Sequence, residues 1–143
     1  MKLWLIAVTC LMSLIGTQAM AQTCAATPVD TRLTPAALQS AVVNKYVCVG
    51  TFPTATWNEF HTGSSGGAVV DYKLGPPPST DPTATVGNYV ISSSGKDGII
   101  TYNYTGGGSF SFYVQNKGAG QYYFCPTAGG GSVITATIQA AHC

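Results

Sequence analysis

Charge is what this sequence has least of. Only 8% of its 143 residues are charged, and Arg32 is the one arginine among them. A nucleic-acid interface needs several phosphate-neutralising side chains on one face, so the composition argues against nucleic acid as a partner and, for the same reason, against an anionic membrane surface. The apolar run within the first fifteen residues is too short for a membrane span, and no later stretch is apolar enough to replace it. CxxC and HxxxH spacings are missing, which leaves zinc a minor alternative. A GxSxG elbow is missing too, so Ser64-Ser65 and Ser92-Ser93-Ser94 read as turns rather than nucleophiles. No cofactor is expected.

What the N-terminus does have is Lys2, an apolar run from Leu3 to Ile15, and Ala19-Met20-Ala21, a small-x-small cleavage signature. Residues 1–21 therefore read as a secretory signal peptide and 22–143 as a single secreted β domain, periplasmic or extracellular. Without Lys2 the domain carries Arg32, Lys45, Lys73, Lys96 and Lys117 against Asp30, Glu59, Asp71, Asp81 and Asp97, a net charge near zero. Cys10 leaves with the leader. Cys24, Cys48, Cys125 and Cys143 remain, which in an oxidising compartment implies two disulfides in one of three connectivities. The expected pairing is Cys48 with Cys125 and Cys24 with Cys143, which would tie an early strand to a late one and join the chain ends.

One helix is predicted, over residues 34–43, with Thr34 as N-cap and Pro35 at the first helical position, where its missing N–H costs nothing. Eight strands follow, at 46–52, 56–61, 68–74, 88–93, 99–105, 109–116, 121–125 and 133–139. They are rich in aromatic and β-branched residues and bounded by glycine clusters. Alternation puts Ile100, Tyr102 and Tyr104 on one face, and likewise Phe110, Phe112 and Val114, and Ile134, Ala136 and Ile138. A meander of this length with one buried face must curl or close. The expectation is an all-β fold, a small antiparallel up-and-down barrel, with a two-sheet sandwich as the alternative. The proline-rich stretch 75–83 cannot pair as a strand and reads as a stiff exposed spacer, with a polyproline recognition motif as the other possibility.

The run of motifs WNEFH, VVDYKLGPPPSTDPT, VGNYVI, IITYNYTGGGSFSFYV and YYFC, with a terminal cysteine, resembles a set of small exported bacterial proteins carried as hypothetical sequences. The resemblance covers most of the chain from about Val47. It implies a bacterial envelope or extracellular setting and carries over no catalytic residue.

The densest chemistry lies in Trp57-Asn58-Glu59-Phe60-His61, a glycine-rich turn, and Val69-Val70-Asp71-Tyr72-Lys73. If the two strands pair with His61 opposite Val69, Glu59 faces Asp71 and Trp57 faces Lys73. Two opposed carboxyls can share a proton, or with the imidazole hold a hard cation. The competing expectation turns Val70, Tyr72 and Leu74 inward and leaves Glu59, His61, Asp71 and Lys73 as a solvated polar face, relieved by Lys73. His142 reads as a solvated tail residue. Asn103-Tyr104-Thr105 is a glycosylation sequon that matters only in a eukaryotic secretory route.

Tyrosines crowd the strands, and aromatic surfaces with polar tips suit protein or glycan partners. Tyr113, Tyr123 and Trp57 are the candidate contact residues. Three function classes follow. The first is a noncatalytic envelope or extracellular binding protein acting through an aromatic surface or a barrel end. The second is an inhibitor of a hydrolase, and the third a small metal-dependent hydrolase using Glu59, His61 and Asp71.

Overall fold

A computed structural model describes residues 32–50, 55–72, 83–128 and 131–143. Helix α1 (Pro35–Val42) precedes eight strands: β1 (Tyr46–Val49), β2 (Trp57–His61), β3 (Gly66–Asp71), β4 (Ala84–Ser94), β5 (Asp97–Tyr104), β6 (Ser109–Gly118), β7 (Gln121–Pro126) and β8 (Ile134–Gln139). Each strand pairs antiparallel with the next, and β8 returns to β1, closing the barrel. The expected barrel is therefore present and the sandwich is not. Closure leaves no bare edge, which is the physical reason a meander with one apolar face ends this way.

The local signals behave as their chemistry dictates. Thr34 caps α1, its hydroxyl accepting from the Ala37 amide at 3.3 Å. The β2–β3 turn is tight because Gly63 adopts φ +99° and a Cβ there would collide with the Gly66 carbonyl. The Thr62 hydroxyl reinforces the turn, accepting from the Ala68 amide at 3.0 Å.

The two ends of the barrel differ. At one end the connections β2–β3, β4–β5 and β6–β7 are short, and α1 packs against β4 and β5. Leu38, Ala41 and Val42 of α1 join the inward-facing Val47, Val69, Tyr89, Ile100 and Val114 in one apolar cluster. The segment before α1 is fastened there as well: Gly98 donates to the Leu33 carbonyl, the Leu33 amide donates to Val114, and Arg32 pairs with Asp97 at 3.0 Å. This end is plugged. The other end carries the longer connections and opens into a cavity.

Two expectations are corrected. Cys48 pairs with Cys143, with Cα atoms 5.6 Å apart, rather than with Cys125. Cys48 and Cys125 sit on β1 and β7, which β8 separates, so roughly 10 Å of sheet lies between them, beyond disulfide reach. Cys125 is also disulfide-bonded, while Cys24 lies outside the described residues, as do residues 1–21 and the stretch 75–82. The Cys143 bond is possible because the tail doubles back after β8: the Gln139 side-chain amide donates to the carbonyls of Ala141 and His142. His142, though exposed, is no free tail residue, since its ring lies 4.6 Å from Tyr46 and 4.8 Å from Tyr72.

The second correction concerns which way the β2–β3 hairpin faces. Glu59 pairs with Asp71 and His61 with Val69, the register expected. The polar face, however, points into the barrel. Glu59 is 6% exposed and His61 fully buried. Phe60 and Tyr72 take the outer positions, where Tyr46 and the returning tail pack over them.

Candidate functional site

Within the barrel, β2 sets its alternate residues in a row from the open end downward: Trp57, Glu59, His61. The lowest, His61, is held on both ring nitrogens. Its Nδ1 lies 3.1 Å from the Glu59 carbonyl oxygen, which can only accept, so Nδ1 carries the proton. Nε2 is then the acceptor for the Tyr102 hydroxyl at 2.9 Å. The rings of Tyr89 and Tyr102 pack edge-on at 4.9 and 5.4 Å. Burial drives the imidazole pKa down to about 4, so His61 is neutral, and burial pushes the Tyr102 phenol well up. Among the described residues no three of His, Cys, Asp and Glu come together as a metal-holding set. His61 is a satisfied core histidine.

One step higher the chemistry changes. The Tyr104 hydroxyl lies 3.0 Å from each Glu59 carboxyl oxygen. A hydroxyl has one proton to give, so only one carboxylate oxygen is served at a time. Burial raises the Glu59 pKa to about 7; the Tyr104 bond lowers it and the facing Asp71 charge raises it further. Glu59 therefore exchanges its proton near neutrality, while Tyr104, raised by burial and by Glu59, stays a donor.

These groups line a cavity of about 460 Å³ at the open end. Trp57, Tyr104, Phe110 and Phe112 supply aromatic walls, Val86 and Ile134 aliphatic ones, and Thr56, Glu59 and Asp71 the polar ones. Val86 is the extra residue where the β3–β4 register shifts, a bulge at the cavity rim. No protein-family model, curated protein or solved structure matches this chain. The cavity's volume lies within the range of small-molecule pockets, and its lining is mostly apolar with a few polar groups.

The other candidates fall elsewhere. Tyr113 and Tyr123 are on the outer wall, half-buried, each beneath a cation: the Arg32 guanidinium 4.2 Å above Tyr113 and the Lys117 ammonium 4.8 Å above Tyr123. Lys73 lies outside the described residues. Sequence reasoning brought Trp57, Glu59 and Asp71 together and missed Tyr104, Phe110 and Phe112 as their companions. The signal for Tyr104 was present, since it shares the inward face with Tyr102.

Proposed function

We propose that this is an exported, noncatalytic binding protein that takes a small ligand into the open end of its barrel. The observation that supports this is the aromatic cavity of about 460 Å³ carrying Glu59, Tyr104 and Asp71, set opposite a helix-plugged end. Eight-stranded barrels are just wide enough inside to hold one small ligand. The hydrolase reading loses its imidazole, because both His61 nitrogens are engaged and His61 does not line the cavity. Tyr113 and Tyr123 are already stacked with cations, which favours the barrel end over the outer wall.

Trp57 offers the test. The chain has two tryptophans, Trp4 and Trp57; in a Trp4→Phe chain the Trp57 indole, on the cavity wall, reports occupancy. A panel of neutral, cationic and anionic amphiphiles and aromatic compounds is expected to include ligands that change Trp57 emission and raise the melting temperature, both lost in Phe112→Asp. Turnover of a compound by the purified protein, or a panel without any such ligand, would count against the reading.

A further inference from the structure

Two hollows meet at the open end of the barrel. The cavity of about 460 Å³ that holds Glu59 shares Phe110, Phe112 and Ile134 with a neighbour of about 450 Å³, whose further lining includes Pro126, Ala128 and Ser132. Phe110 belongs to both. Its ring stands 6.2 Å from that of Tyr104, and it lies against the connection between β5 and β6, where a Cβ on Gly108 would come within 3.1 Å of it. Phe110 is nevertheless 51% exposed, one of two large apolar side chains left so open among the described residues. Apolar surface in water at the mouth of a cavity is surface that a ligand can cover.

The polar end of this path is Glu59. Its carboxyl is buried, and the single Tyr104 proton serves one of its two oxygens at a time. The facing Asp71 has interactions of its own within the protein. Glu59 thus keeps capacity for a further hydrogen bond, beside the apolar walls of Trp57, Val86 and Phe112. A hydroxyl meets that capacity in either state of the carboxyl, because it can donate to a carboxylate oxygen or accept the proton of the acid. An ionised head of either sign would give up its hydration to aromatic and aliphatic surface, and a charge is costlier to bury than a hydroxyl.

Resting on the binding reading above, we propose that the ligand is a long-chain molecule with an uncharged hydroxyl head, the head hydrogen-bonded at Glu59 and Tyr104 and the apolar chain running along Phe110 into the second hollow. Each methylene laid against Phe112, Pro126 and Ile134 leaves water, which raises affinity about fourfold. A compact ligand would occupy the first cavity alone and leave Phe110 and the second hollow as they are.

1-Dodecanol, 1-hexanol, dodecanoate and dodecyltrimethylammonium, each below its micelle concentration, are titrated at pH 7 against the Trp4→Phe chain with Trp57 emission as the readout. 1-Dodecanol is expected to bind tightest, by about tenfold or more over 1-hexanol and over both ionic probes. Ala128→Phe, which narrows the second hollow, should weaken 1-dodecanol about tenfold or more while 1-hexanol stays within about twofold; Ser132→Phe decides if that chain does not fold. Glu59→Gln keeps a hydrogen-bonding group and should stay within about threefold of wild type for both alcohols, whereas Glu59→Leu should lose about tenfold. Equal effects of Ala128→Phe on the two alcohols, or none on either, overturn the path of the chain. Tighter binding of an ionic probe, or full affinity in Glu59→Leu, overturns the hydroxyl head. Each of these leaves the binding reading standing. If none of the four probes binds, this inference falls, and the wider panel decides the binding reading by itself.

Discussion

Two titratable side chains on one strand, Glu59 and His61, are buried in the same barrel, and they meet opposite fates. His61 lies under the plugged end with both nitrogens bonded and its charge removed. Glu59, one inward step toward the open end, has a single hydroxyl for two oxygens and a cavity beside it. Burial disfavours the charged form of both. The difference is that the first has both ring nitrogens bonded within the fold, while the second has one hydroxyl for two oxygens and a cavity beside it, and the proposed binding role rests on that contrast.

The largest expected effect comes from breaking the fully bonded side. His61→Ala removes a fully buried ring and strands the Tyr102 hydroxyl, and should cost about 4 kcal/mol in a denaturant titration, from cavity formation and one orphaned polar group. Glu59→Gln should be far milder at pH 5.

The pH dependence sharpens the contrast next. Glu59 has its folded pKa raised from 4.5 to about 7, so its carboxyl contributes stability that is complete below about pH 4.5 and lost as pH rises through 7. His61 has its folded pKa lowered from 6.5 to about 4, so its contribution is complete above about pH 6.5 and lost as pH falls through 4. Between about pH 4.5 and 6.5 the two slopes oppose. Wild type should thus be nearly flat across that window, and each single variant should unmask the other group: Glu59→Gln loses about 3 kcal/mol from pH 6.5 to 4, and His61→Gln loses a similar amount from pH 4.5 to 7, read as unfolding midpoints against pH. Parallel curves for the two variants would remove the distinction between the two ends.

A smaller change should follow Tyr104→Phe. Losing the one donor to Glu59 should lower stability by about 1 kcal/mol at pH 8 and move the carboxyl pKa further up, visible by NMR titration of the Glu59 side chain. Least of all, Tyr113→Ser and Tyr123→Ser on the outer wall should change stability by about 1 kcal/mol or less and leave cavity occupancy, read by Trp57 emission, unaltered.

Much of the architecture was legible in the chain because the signals were local. Glycine clusters placed the turns, alternation placed Ile100, Tyr102, Phe112 and Ala136 inside, and the register posited for a β2–β3 hairpin, His61 opposite Val69, is the one observed. The direction of β2 and β3 was not legible, for a specific reason. Phe60, Val70 and Tyr72 look like a core face, and Glu59, His61 and Asp71 like a wet one. The reversal goes with the cover on the outer wall, where Tyr46 of β1 packs on Phe60 and Tyr72, and His142 of the returning tail packs on Tyr46 and Tyr72. Nothing in the spacing of Cys48 and Cys143, 95 residues apart, announces that return. The cavity was equally hidden, since it exists only where five strands, from β2 to β8, bring Trp57, Asp71, Tyr104, Phe112 and Ile134 to one end.

The seam between β1 and β8 bears on how the molecule assembles. Three residue pairs join them, Tyr46 with Gln139, Val47 with Ile138 and Cys48 with Thr137, and the Cys143 bond lies next to the last of these. The first strand of the barrel therefore waits for the last, so a nascent chain can form hairpins in sequence but cannot become a closed cylinder until Gln139 has emerged. Until then β1 and the growing end remain open strand edges, and the interval before closure is when this chain is most exposed to pairing with another copy of itself.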